Sequence, residues 1–316
     1  FSIRDSINTS AELTIYSPIT DFAPIKTGAG TLMLAGANTY AGATIINGGR
    51  LQLGATGSLP ATTNIVVNGT TPGGSAVFDV GGQAQAIGTL TFGGTGATSS
   101  SMNSVAIAPG GTLTLGGNVS YLATNDPPGA SISSGTLALG GATRTFDIGD
   151  SINAMSDLMV SSIITGPGLG VLKIGSGSLG LSGANTYTGT TTINDGRLQL
   201  SGTNAIGTSA GVVVNPLASG KTATFDSGSG VQSVGPVTLG GVTGSTSTLT
   251  TGPGGALTIA SLTLAGSAGS TTMISLSSSS TLTLGGNLTY DATNNPNGAS
   301  IFGGADLSGT LALSSG

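Results

Sequence analysis

The chain contains one stretch written twice. Residues 26–53 read KTGAGTLMLAGANTYAGATIINGGRLQL and residues 173–200 read KIGSGSLGLSGANTYTGTTTINDGRLQL, identical at 19 of 28 positions with a constant offset of 147. A fixed internal period restricts the fold more than any single motif, because each copy must be a unit that stacks on its neighbour. The repeat extends outward. FSIRDSIN at 1–8 returns as FDIGDSIN at 146–153, Ala76–Asp79 returns as Ala223–Asp226, and Ile87-Gly88 returns as Val234-Gly235. TLTLGGN at 112–118 then returns at 281–287 with the offset grown to 169, so the second copy has gained 22 residues between about 242 and 280.

A close-packed globular interior does not absorb such an insertion. A solenoid does, by becoming one coil longer, since each coil touches only its neighbours. The inserted text, LTIASLTLAGSAGS, alternates apolar and polar residues and reads as that extra coil rather than as a surface loop. The organisation expected is a first repeat over 1–145 and a second over 146–316, in one continuous solenoid. Gly309–Leu313 repeats Gly135–Leu139 where a third copy would begin, so the chain reads as a piece of a longer polypeptide.

Local pattern gives the element type. Thr31–Leu34, Arg50–Leu53, Thr112–Leu115 and Thr281–Leu284 place leucines on one face and Thr, Gln or Arg on the other, with period two. Gly pairs and Asn-Gly steps punctuate these runs every 8–14 residues, and no segment carries a sustained helical stripe. Trp is absent and Phe plus Tyr total 12, too few large rings to fill a bulky antiparallel sandwich. The expected fold is all-β, a parallel β-helix in which inward Leu, Ile and Val form ladders along the axis.

Composition removes several function classes. With a net charge of −5 and seven cations scattered singly (Arg4, Lys26, Arg50, Arg144, Lys173, Arg197, Lys221), nucleic acid is not an expected partner. No apolar run reaches the ~18 residues of a membrane-crossing helix, and membrane insertion by this segment is not expected. The absence of Cys and His removes disulfides, thiolate sites and the commonest transition-metal ligand. No cofactor is expected.

The twelve acids are Asp5, Glu12, Asp21, Asp79, Asp126, Asp147, Asp150, Asp157, Asp195, Asp226, Asp291 and Asp306. None clusters with basic residues as a lyase on this scaffold would need, and Asp147 is Ser2 in the first copy. The Gly-Gly-x-Gly-x-Asp calcium repeat and a phosphate loop are both missing. Catalysis is therefore not expected.

Residues 26–53 and 173–200 resemble the passenger-associated transport repeat, also called the autotransporter-associated β-strand repeat. The resemblance rests on Lys26, Gly28, Gly30, Leu32, Leu34, Gly36, Asn38, Thr39, Tyr40, Gly42, Thr44, Ile46, Gly49 and Leu51. The same pattern recurs from Lys173 through Gly183, Asn185, Tyr187 and Gly196 to Leu198. It implies a secreted or surface-displayed right-handed parallel β-helix from a very large bacterial protein, and no particular enzyme. The family's usual membrane barrel has no counterpart in this text.

Each motif residue has an expected structural role. Asn38 and Asn185 should sit in a tight turn or hydrogen-bond neighbouring backbone, while Tyr40 and Tyr187 cover the coil edge. Arg50 and Arg197, pointing outward, should pair with acids. Asp79 and Asp226 should form salt bridges or cap turns, and Lys26 and Lys173 should snorkel over a coil edge. The sequons at Asn8, Asn68, Asn118 and Asn287 read as coincidence within Asn/Thr-rich strands. The leading expectation is an extracellular or cell-surface structural segment, a rigid β-helical rod, stalk or fibre whose partners are copies of itself or adjoining repeats, end to end or laterally. The alternative is an adhesin passenger that binds surface glycans through its side, and the third a polysaccharide-degrading enzyme.

Overall fold

The computed structural model describes residues 1–5, 11–94, 96, 102–123, 129–152, 154, 156–207, 211–291, 299–303 and 310–313. Asp126, Asp306 and the Asn8 sequon lie outside the described residues. The described residues form strands and turns with no helix, and every strand pairing between coils is parallel. The fold is a parallel β-helix. Two compact units divide at Thr165/Gly166, past the copy boundary read from the sequence at 145/146.

In the first unit, one sheet stacks Leu13–Ile15, Thr31–Leu34, Gly49–Leu53, Ser75–Gly81, Met102–Ile107, Ala130–Ser133 and Leu158–Val160. A second sheet stacks Ile25–Lys26, Thr44–Ile46, Ile65–Val67, Leu90–Phe92, Val119–Tyr121 and Arg144–Ile148. A third contains only Ala84–Ile87, Thr112–Leu115, Thr136–Ala138 and Ile163–Thr165. Period-two alternation sends one side chain in and the next out. The inward Leu32, Leu51, Phe78, Val105, Ile132 and Val160 therefore form one buried ladder in strict register.

Coil size follows the repeat. Leu13 stacks on Leu32 and Leu32 on Leu51, two short and equal steps along the chain, and these coils have two strands. From Leu51 onward the step lengthens, as in Leu51 to Phe78 and Phe78 to Val105, and from Phe78 a third strand is present. The duplicated text thus marks where the coil is narrow.

The second unit behaves in the same way. Leu179 stacks on Leu198 at the same short step in a two-strand coil, and the coils after Phe225 have three strands. The 22-residue gain is visible in its third sheet. In the first unit Thr112–Leu115 pairs directly with Ala84–Ile87. In the second, Ala256–Ile259 stands between Val231–Val234 and Thr281–Leu284, one strand of a coil completed by Thr246–Thr251 and Leu262–Gly266.

Candidate functional site

The lysine, asparagine and tyrosine of each motif copy face the interior and the joints between coils. Lys26 has no solvent exposure, and its ammonium donates to the carbonyl oxygens of Thr27, Gly28 and Gly48 at 2.8, 2.7 and 3.0 Å. Lys173 is equally buried and donates to Ile174, Gly175 and Asp195 carbonyls at 2.8, 2.6 and 3.1 Å. The expectation that these lysines snorkel over a coil edge is overturned. Each points inward from its strand, and the turn folds its carbonyls around the charge. Burial lowers the Lys26 ammonium to about 8, partly opposed by the Glu12 carboxylate.

Asn38 links three coils. Its Oδ1 accepts the Ile19 N–H at 2.9 Å, and its Nδ2 donates to Gly36 O at 2.9 Å and Ser58 O at 2.8 Å. Asn185 makes the equivalent bond from Nδ2 to Ala205 O. Tyr40 and Tyr187 are buried within the coil rather than laid over its edge, each with its hydroxyl against a threonine, Thr44 at 2.5 Å and Thr191 at 2.7 Å. Both phenols are pushed up by burial, with the threonine bond partly opposing.

Gly49 and Gly196 both adopt left-handed φ, +64° and +66°. A Cβ on Gly49 would also press into the carbonyls of Gly28, Ala29 and Gly30, so coil spacing and backbone conformation both require glycine. A Cβ on Gly36 would meet the Tyr16 and Ser17 backbone at 2.7–2.8 Å. Gly183 lies in the turn beyond strand Ser178–Leu181.

The arginines sit on the outer face. Arg50 pairs with Asp79 of the next coil, with Nε 3.0 Å from Oδ2, and the other carboxylate oxygen accepts the Gly81 N–H at 3.0 Å. Arg197 pairs with Asp226, whose Oδ1 accepts the Gly228 N–H at 2.8 Å. Each carboxylate thus joins two coils and caps a turn.

Three further residues carry no signal in the duplicated motif. The Arg144 guanidinium is buried and donates to carbonyls of Leu139 (2.7 Å), Gly116 (2.9 Å) and Leu115 (2.6 Å). Gln85 and Gln232, counterparts in the two copies, are buried at the first strand of each third sheet. There Gln85 closes the ladder of Leu113, Leu137 and Ile164. Its Oε1 accepts the Leu59 N–H at 2.9 Å and its Nε2 donates to Leu59 O at 3.1 Å, supplying to the narrower coil the bonds a strand would supply. Gln232 does the same for the Ala205 N–H (2.9 Å) and Gly202 O (2.8 Å).

Among the described residues no three His, Cys, Asp or Glu side chains group in a way that could hold a metal ion. Asp157 is buried and accepts the Ser151 N–H at 2.7 Å, and Asp195 pairs with Lys221 at 2.8 Å. No helix among the described residues is long and apolar enough to cross a membrane. The chemistry these arrangements perform is coil-to-coil bonding.

Such an architecture defines a β-helical repeat protein whose signature residues hold the coils together. The family model described as passenger-associated-transport-repeat matches residues 25–53 and 171–200, the two narrow-coil segments. The chain is also similar to the adhesin BmaC autotransporter of Brucella suis biovar 1 (strain 1330). The two are 32% identical over 152 residues, covering 46% of this chain and 4% of that protein. No solved structure matches. The chain is a β-helical segment of a bacterial protein secreted to the cell surface or extracellular space.

Proposed function

We propose that this segment is non-enzymatic and mechanical, a stiff β-helical rod or stalk that extends a surface protein or builds an extracellular fibre by stacking end to end or side to side with like segments. One observation carries this reading. Lys26 and Asn38 of the duplicated motif and their counterparts in the second copy are buried in bonds between or within coils, and Arg50 and Arg197 are held by a carboxylate of the next coil. A motif that carried binding or chemistry would instead present such groups to solvent. Electron microscopy of the purified chain across a concentration series tests it. Straight thin rods or filaments are expected, and compact isometric particles at every concentration would overturn it.

Similarity to an adhesin favours a second reading, in which the lateral surface also binds glycans of a host or matrix. Retention of the chain on immobilised surface glycans would support that reading, and absence of retention would remove it. Release of new reducing ends from any polysaccharide would contradict the non-enzymatic assignment.

A further inference from the structure

Among the differences between the two copies, one lies at a pair of facing surface turns. In the second, Lys221 Nζ bonds Asp195 Oδ2 at 2.8 Å across the turns that precede strands Thr222–Asp226 and Gly196–Leu200. The corresponding positions of the first copy, at the offset of the repeat, are Gly74 and Gly48. With neither side chain present, the first copy has an open groove of about 530 Å³, lined by Gly28, Ala29, Gly48, Thr71, Ser75 and Met102 among others, with Asp5 contributing a carboxylate.

Sterics do not require glycine at position 48. A Cβ there would meet nothing closer than the Gly28 carbonyl oxygen at 3.4 Å, an ordinary contact, and its φ is not left-handed. Glycine there leaves the floor of the groove without a side chain, beside the exposed Ala29. Beneath that floor the Lys26 ammonium holds the inward carbonyls of Gly28 and Gly48.

We infer that this groove of the first copy is a binding site for a neutral oligosaccharide, closed in the second copy by the Lys221–Asp195 pair. The lining fits that chemistry. The exposed Thr71 and Ser75 hydroxyls and the Asp5 carboxylate are donors and acceptors suited to sugar hydroxyls. Met102, 67% exposed, offers a polarisable apolar wall for the C–H face of a pyranose. Asp5 is the one charged residue of the lining, so nothing there selects an anionic sugar. The groove also falls within the volume range of sites for small ligands, about 300–1,000 Å³.

This inference deepens the glycan-binding reading and can fail separately from it. The test is saturation-transfer NMR and calorimetry with neutral hexasaccharides of glucose, galactose and N-acetylglucosamine. Wild-type chain is compared with Gly48→Asp/Gly74→Lys, which installs the ion pair of the second copy, and with Gly48→Asp alone. A Cβ on Gly74 sits 3.0 Å from Thr71 O, so the single variant guards against strain in the double.

The expected result is binding of at least one hexasaccharide with Kd near 1 mM, at least about tenfold weaker in both variants at unchanged melting temperature. No binding by wild type up to about 10 mM overturns the site. Unchanged binding in folded variants also overturns the site while leaving glycan binding elsewhere on the chain intact. Loss of self-association instead of sugar binding assigns the groove to a second copy and overturns the saccharide.

Discussion

At the scale of single residues, the buried lysine is the decisive group. Removing it as Lys26→Met takes the donor from the carbonyls of Gly28 and Gly48 and one of two donors from that of Thr27, which keeps the Ile3 N–H. The expected loss is about 3 kcal/mol of unfolding free energy, read by urea titration, because orphaned buried acceptors cost more than the desolvation relieved. Gly49→Ala should cost at least as much, from left-handed φ and from the carbonyls its Cβ would strike. Titration adds a signed test. Lys26 falls to about 8 in the folded chain from 10.5, so the unfolded chain holds more protons between those values and stability rises with pH there. Tyr40 and Tyr187 are raised above 10.0, so from about pH 10 the folded chain holds more protons and stability falls. The melting temperature should pass through a maximum near pH 10, and a monotonic decline from pH 8 would refute the lysine's contribution. The inward position of Lys173 was open to reading from the sequence. Val171 and Lys173 share a face by period two, and Val171 is in the core. That signal is faint because Leu172 and Ile174, on the opposite face, are apolar as well, so alternation alone does not say which face is inside. Arg144 had no such cue, since its three acceptors lie in turns and strand ends brought to it only by the fold.

Among strands and coils, sequence fared better, because alternation in Thr31–Leu34 and Thr112–Leu115 fixes both element type and inward face. The long period of the duplication indicated stacked copies, and the later jump in offset to 169 indicated a coil's worth of extra chain. It did not reveal that the coil changes from two strands to three. That change depends on Gln85 and Gln232, whose polarity reads as surface in a list of residues but which lie at the end of an apolar ladder. Gln85→Leu would continue the ladder in shape yet leave the Leu59 N–H and carbonyl unpaired. A loss of about 2–4 kcal/mol is expected, with faster amide exchange at Leu59 as the diagnostic that separates it from a packing defect. Coil modularity has its own test in the second unit. Thr246 pairs with Thr271, and Ala256 with Thr281, the same step along the chain in both sheets. Excising residues 246–270 brings Thr271–Leu276 onto Thr222–Asp226 in register, so the shortened chain should fold with parallel-sheet circular dichroism and a single cooperative melt. Excising half that length would set strands against turns and abolish the transition.

For the whole molecule, the controlling quantity is the scarcity of charge. Charged residues make up 6% of the chain and net charge is −5, while Lys26, Lys173 and Arg144 are satisfied by carbonyls out of reach of solvent ions. The pairs Arg50–Asp79, Arg197–Asp226 and Lys221–Asp195 keep one exposed partner each, and exposed pairs contribute about 0–1 kcal/mol. Added salt therefore has little to screen within the fold, and the melting temperature should move by less than about 3 °C between low salt and 0.5 M. Between molecules the balance differs. In the side-by-side association proposed above, strand surfaces rich in Thr and Ser would approach one another with only a weak negative charge holding them apart, and that charge vanishes near the pI of about 4.3. Light scattering at fixed concentration should therefore rise as pH falls from 7 toward 4.3, and should rise at pH 7 when salt screens the residual repulsion. If lateral packing of rods is the basis of assembly, the species formed near pH 4.3 should be bundles that redissolve on return to pH 7 with the circular dichroism of the fold unchanged. Amorphous aggregate that fails to redissolve would mean that unfolding drives the association, and would remove low charge as the cause of side-by-side packing.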